Sequence, residues 1–272
     1  LTRAATSSGT QVVILRGPAG AGARQTVDQL IASVEPSLVL RMPPASGGHE
    51  PLGSLRAALD TTFGGVGGLD ALASSLDAAS CDALRAIARG EVLALPAAVD
   101  AIAALLVASR RGQKKPMIVL DPVTAADTST LELVGELVQR QGLELLVVGR
   151  ARGATRVPAA LSRERAVTEL VVPSPKQDEA RALAERILVR TSDPDIARRV
   201  VALAGESPIA VLETIRWLVS VGDIVEGPRG FRFRVGPRVA SKVMSLEAIY
   251  AERIATLDPD AQRVLEDRKS VV

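Results

Sequence analysis

The residues best suited to chemistry are a glycine-rich bend, Gly17-Pro18-Ala19-Gly20-Ala21-Gly22, and an acid, Asp121, that closes an apolar run. Both suit polyphosphate binding. In such a bend successive backbone N–H groups turn inward on an anion, and glycine permits close approach. The N-terminus of a following helix adds partial positive charge. An acid at the C-terminal end of a buried strand can hold Mg²⁺ through water. A basic feature, Arg150 and Arg152, follows another apolar run. These two guanidiniums either serve a ligand at that sheet edge or salt-bridge its acidic rim.

A complete phosphate loop reads Gly, four residues, Gly, Lys, then Ser or Thr. Gly17 and Gly22 have that separation, but Ala23 and Arg24 follow. The lysine that would reach the outer phosphates is missing, and so is the hydroxyl that would ligate Mg²⁺. Arg24 carries charge one position later, about 100° further round a helix. Thr26 lies two positions beyond the place of the hydroxyl. Enzymes that hydrolyse nucleotide commonly follow the strand acid with a second carboxylate that orients water; here that position is Pro122.

These groups need strands to carry them. Apolar runs at Val12–Leu15, Ser37–Met42, Pro116–Asp121, Leu143–Val148 and Val167–Val172 alternate with helical patterns. That order predicts a parallel sheet covered on both faces, with ligands at the carboxyl ends of its strands. Helices are expected from Ala23, over Pro51–Leu59, Leu69–Arg89 and Ala97–Arg110, and from an Asp127 N-cap to Gly142. Phe63-Gly-Gly-Val-Gly-Gly68 is read as a flexible connector rather than a second anion loop, since no apolar strand feeds it. Arg110 to Lys115 reads as a solvated basic turn. From Pro173 only helices follow, until a hairpin turning at Gly227 to Gly230. Arg229, Arg232, Arg234, Arg238 and Lys242 make that hairpin basic. It is either a DNA-contacting wing or a solvated one, and no recognition helix with base-reading residues accompanies it.

The chain has 272 residues, long enough for two domains and part of a third. Apolar residues make up 47% and aromatics 2%, so the core rests on Ala, Val, Leu and Ile. A single cysteine, Cys81, excludes an intrachain disulfide and fits a reducing cytoplasm; with a single histidine it also excludes a His/Cys zinc cluster. A formal net charge of +2 does not argue for nucleic acid. No apolar run approaches membrane-spanning length, and no signal peptide is visible. The start at Leu1 and the stop after a helical pattern are read as those of a segment of something longer.

Together these features resemble the ATPase core of bacterial STAND-type regulators, the AAA/Orc1-like modules fused to LuxR-type transcription factors, adenylate cyclases and serine/threonine kinases. Leu15 to Gly22 resembles the Walker A motif and Pro51 to Leu59 the "pro-leu-x-x-leu" helix. Pro116 to Asp127, with Thr130 and Leu131, is similar to Walker B and the turn after it. Val147 to Arg152 resembles the sensor strand, and Gly205-Glu-Ser-Pro208 the lid segment whose proline touches adenine. The resemblance implies an α/β P-loop NTPase of the ASCE type, with five parallel strands in the order 5-1-4-3-2. A helical lid and the start of a winged-helix domain would follow, with boundaries at 1–172, 173–222 and 223–272. It places nucleotide contacts on Gly17, Pro18, Gly20, Ala21, Gly22, Ala23, Arg24, Arg152 and Pro208, with Mg²⁺ on Asp121 through water. It also implies ATP or ADP as ligand, oligomerisation, and fused or interacting kinase, cyclase or helix-turn-helix partners. Neither a membrane nor, within this segment, nucleic acid is expected as a partner.

A charge-assisted hydrogen bond contributes about 1.5–3 kcal/mol, so losing the lysine should weaken nucleotide binding roughly ten- to a hundredfold. Removing a water-orienting group costs on the order of 10²–10⁴ in rate. The expectation is therefore a regulatory module that binds ATP or ADP weakly or not at all, with no residue assigned as catalytic and no structural metal. The alternatives are a working ATPase switch in which Arg24 replaces the lysine, and a DNA-binding regulator acting through the hairpin at 229–242.

Overall fold

Along the first strand of the computed structural model, Val12 and Ile14 enter one hydrophobic core while Val13 and Leu15 enter another. A strand buried on both faces has apolar side chains in both alternating sets, which is why it reads as one uninterrupted apolar run. The structure describes residues 7–18, 20–44, 50–71, 75–153, 155–162, 167–173, 176–188, 193, 195–228, 230–234, 246–255 and 257–269.

The strands are β1 (Gln11–Gly17), β2 (Val39–Met42), β3 (Met117–Leu120), β4 (Leu146–Arg152) and β5 (Val167–Val171), then β6 (Ile224–Gly227) and β7 (Gly230–Phe233). The helices are α1 (Ala23–Val34), α2 (Gly53–Phe63), α3 (Val66–Asp70), α4 (Ala78–Arg89), α5 (Leu95–Ala108), α6 (Thr128–Gln139) and α7 (Ala159–Ser162). They continue with α8 (Gln177–Ile187), α9 (Ile196–Ala204), α10 (Pro208–Ser220), α11 (Leu246–Ala255) and α12 (Pro259–Lys269).

β1 to β5 form one parallel sheet in the order β2-β3-β4-β1-β5. Read from the other edge this is the expected 5-1-4-3-2. Val27 and Leu30 of α1 pack on one face with Val13, Leu15, Val119 and Val148. Side chains from α2 to α7 cover the other. β4 is inserted between β1 and β3, so the C-terminal tips of these three strands lie side by side.

Contacts divide the chain into two compact units: residues 1–17 with 23–172, and residues 18–22 with 173–272. The second unit packs α8 to α11 and the β6–β7 hairpin around Val200, Val211, Ile215, Trp217 and Ile249. Trp217 is a core anchor, 3% exposed. The buried Glu213 accepts from Arg216 Nη1 at 2.8 Å and is also paired with Arg253, which ties α10 to α11.

Four expectations are corrected. The fourth strand is not Leu143–Val148 but Leu146–Arg152, because its ladder with β1 continues from Gln11↔Leu146 to Gly17↔Arg152. The expected helix over Leu69–Arg89 is two helices, since Asp77 caps a new start by accepting from Ser80 N at 2.8 Å. The connector at Phe63–Gly68 already contains the first turn of α3, after a reversal at Gly64 and Gly65 (φ +69° and +90°). The basic turn is also less solvated than expected at its end. Lys115 is 7% exposed, and its ammonium donates to the carbonyls of Ser7 and Gly9.

Asp127 joins the start of α2 to the start of α6. Its carboxylate accepts from Leu52 N and Ser54 N, each at 3.0 Å, and from Thr130 N and Oγ1, each at 2.8 Å. This holds Leu52 at φ +59°, a left-handed conformation that costs an L-residue about 1–2 kcal/mol. Desolvation pushes the Asp127 carboxyl up, but the hydrogen bonds from Ser54, Thr130 and Leu52 outweigh it and hold the carboxyl below the ordinary aspartate range. Asp127→Ala should cost about 2–4 kcal/mol in urea denaturation. A group with a depressed folded pKa stabilises above its unfolded pKa, about 3.9 for Asp, and loses that contribution as pH falls through the folded value. The gap between the wild type and Asp127→Ala should therefore be largest at neutral pH and narrow on acidification, by the part that the depressed pKa contributes.

Candidate functional site

The tips of β1, β3 and β4 carry the groups singled out by spacing. Leu120 pairs with Gly149 and Leu15 with Arg150, so the residue after β3, Asp121, lies level with Arg150 on the neighbouring strand. Strand alternation puts both on the face covered by α1. There the Arg150 Nε and Nη2 both donate to Asp121 Oδ1. The Asp121 side chain is 9% exposed and that of Arg150 28%, so this is not a solvated surface pair. A second tie runs through the backbone: Val123 N donates to Arg150 O at 2.8 Å, strapping the segment after β3 onto β4. Of the two arginines, it is Arg150 that salt-bridges the acid. Arg152, the one matched to the sensor position, is exposed at the end of β4, opposite Gly17.

On the other face, Arg16 binds Glu169 through two parallel bonds, Nε to Oε2 at 2.6 Å and Nη2 to Oε1 at 2.8 Å. Its Nη1 donates to the carbonyls of Gly153 at 3.2 Å and Thr155 at 2.6 Å. Arg16 thus fastens the segment leaving β4 to edge strand β5. Its hydrogen bonds hold the Glu169 carboxyl below the usual range. Neither Arg16 nor Glu169 was among the expected site residues. The signal that could have found them is their shared face: Glu169 pairs with Ile14, two residues before Arg16.

Gly17 ends β1, and Ala23 and Arg24 are the first two residues of α1. Ala23 is half-buried and Arg24 exposed. Pro18 and Ala21 close a turn, Ala21 N donating to Pro18 O at 3.2 Å. Gly20 and Gly22 have φ of +81° and +85°. Segment 18–22 groups with the second unit, where a Cβ on Gly20 would come within 2.6 Å of Ile209 Cγ2 and 2.8 Å of Ser207 Oγ. Pro208 occupies the first turn of α10, where its missing N–H costs nothing. Ala19 and three of the hairpin cations, Arg229, Arg238 and Lys242, lie outside the described residues. Arg232 and Arg234 are exposed.

An Mg²⁺ ion, which this fold implies, does not fit the side chains present. The acid that would hold it through water is taken by a guanidinium. The helix position that should supply a hydroxyl is Arg24, and the position after the acid is Pro122. Among the described residues no group of three or more His, Cys, Asp or Glu side chains is placed to hold a metal, and no helix is long and apolar enough to cross a membrane.

The 5-1-4-3-2 order, with a glycine bend after β1 and an acid at the tip of β3, is that of an α/β P-loop NTPase of the ASCE type. No family model and no curated protein matches the sequence. Among solved structures, the chain is similar to a STAND (signal transduction ATPase with numerous domains) protein with a tetratricopeptide repeat sensor from Pyrococcus horikoshii. Identity is 13% and the TM-score 0.46, covering 92% of this chain and 31% of that one. It is also similar to a RuvB variant from Thermotoga maritima, at 14% identity and a TM-score of 0.42, over 78% of this chain and 56% of that one. The chain thus spans between about a third and just over half of these structures, and likenesses this distant say nothing of activity or partners.

The two positive-φ glycines differ in their surroundings, which separates backbone strain from crowding. Gly22→Ala meets nothing within 4 Å and should cost only the strain, on the order of 1 kcal/mol. Gly20→Ala adds the clash with Ile209 and should melt several degrees lower than Gly22→Ala in a thermal scan.

Proposed function

We propose that the chain is a regulatory nucleotide-binding module of the STAND/AAA type, part of a larger signalling or transcription-regulating protein. It binds ATP or ADP weakly and does not hydrolyse it at a useful rate. The observation that carries this reading is the opening of α1. A glycine bend leads into the helix as in a phosphate loop, but the first two helical residues are Ala23 and the exposed Arg24. The backbone groups and helix dipole that attract phosphate are retained. The point charge and metal ligand that make the site tight and productive are not.

On this reading residues 173–222 serve as the helical lid and 223–272 begin a winged-helix domain. Output passes to fused or interacting domains, such as a kinase, a cyclase or a helix-turn-helix. The module would act by conformation and contact, in a cytoplasmic protein, with oligomerisation as the means of signalling.

Calorimetric titration with ATP should give a dissociation constant well above the micromolar range, with no phosphate released. Restoring the motif with Ala23→Lys and Arg24→Thr should tighten binding by about ten- to a hundredfold. A low-micromolar constant in the unaltered protein would sink the reading.

A further inference from the structure

We infer that Arg150 takes the place of the divalent cation, so that whatever anion this sheet edge receives is bound without metal. This deepens the nucleotide reading above, but its physical basis is separate from the glycine bend. Asp121 lies at the tip of β3, where an ASCE-type site holds its metal through water. Arg150 donates to its Oδ1 from Nε and Nη2. Three features make the pair a built element rather than a chance surface contact. Asp121 and Arg150 are level on adjacent strands. The Asp121 side chain is 9% exposed, so its charge is withdrawn from water. The Arg150 carbonyl also takes the Val123 N–H at 2.8 Å, which fixes the segment that carries Asp121.

The electrostatic consequence follows directly. A divalent cation reaching Asp121 would meet a carboxylate already compensated by a cation at contact distance. It would have to displace two charge-assisted hydrogen bonds from a partly desolvated acid. A guanidinium is always charged and carries five N–H donors in a fixed fork. With two of those donors on Asp121 the pair is net neutral, and the guanidinium keeps three further N–H donors with which to hydrogen-bond an anion. A guanidinium of the chain's own thus occupies the place at Asp121 that an ASCE-type site gives to a hydrated metal ion.

Mn²⁺ serves as the probe, since its electron paramagnetic resonance signal reports free ion directly. The wild-type chain should show no saturable Mn²⁺ site. Arg150→Gln, which removes the compensating charge but keeps a hydrogen-bonding side chain, should gain one site. Arg150→Gln combined with Asp121→Asn should lose it again. A saturable site in the wild type that Asp121→Asn abolishes would overturn the inference. So would a folded Arg150→Gln chain, checked by circular dichroism, that gains none. Should Arg150→Gln fail to fold, the wild-type titrations with and without Asp121→Asn still decide, because they need no change at Arg150. A second arm compares ADP affinity with Mg²⁺ and with EDTA. The two should agree, and a tenfold difference, about 1.4 kcal/mol, would count against metal-free binding. If ADP binds under neither condition, the nucleotide reading fails while the Mn²⁺ result still stands or falls alone.

Discussion

The ion pair between Asp121 and Arg150 sets the character of the whole sheet edge. A carboxylate 9% exposed at a strand tip needs a compensating partner, because most of its hydration has been taken away. The neighbouring strand supplies the replacement at the same level. The same residue accepts the backbone N–H of Val123, so charge compensation and the course of the chain after β3 are settled together. What looks from composition like a metal-binding acid is an internal salt bridge.

That pairing is available because β4 lies between β1 and β3. With strand order fixed, residues far apart in the chain arrive side by side at the carboxyl ends: Gly17 opposite Arg152, and Asp121 beside Arg150. Alternation then sorts them by face. Asp121 and Arg150 fall on the face of α1, whereas Arg16 and Glu169 fall on the opposite one, where they secure the exit from β4. Behind this edge, Asp127 gathers four hydrogen bonds and aligns the starts of α2 and α6. Asp121, Glu169 and Asp127 are thus each engaged in holding the scaffold.

Much of the architecture was legible in the chain itself. Five apolar runs separated by helical patterns gave the parallel sheet. The Asp127 cap, the buried Trp217 and the hairpin turning at Gly227 to Gly230 were equally local signals. Boundaries were less so. β4 extends to Arg152 because a partner strand continues beside it, which its own polar C-terminal residues do not announce. The single helix expected over Leu69–Arg89 is divided because Asp77 starts a new one, and hydrophobic spacing does not record that choice.

For the candidate site the division is sharper. That position 23 has no lysine, position 24 no hydroxyl and position 122 no carboxylate is determined by the sequence alone, since these are facts of residue identity within one local motif. Which arginine meets Asp121 was not. Arg150 and Arg152 are equivalent by composition and by alternation, and only the register Leu120↔Gly149 places one level with the acid and leaves the other exposed beyond it. Hydrogen-bond register between strands some thirty residues apart is a tertiary property. It arises from how the two apolar faces pack, and it turned an apparent metal ligand into half of a salt bridge.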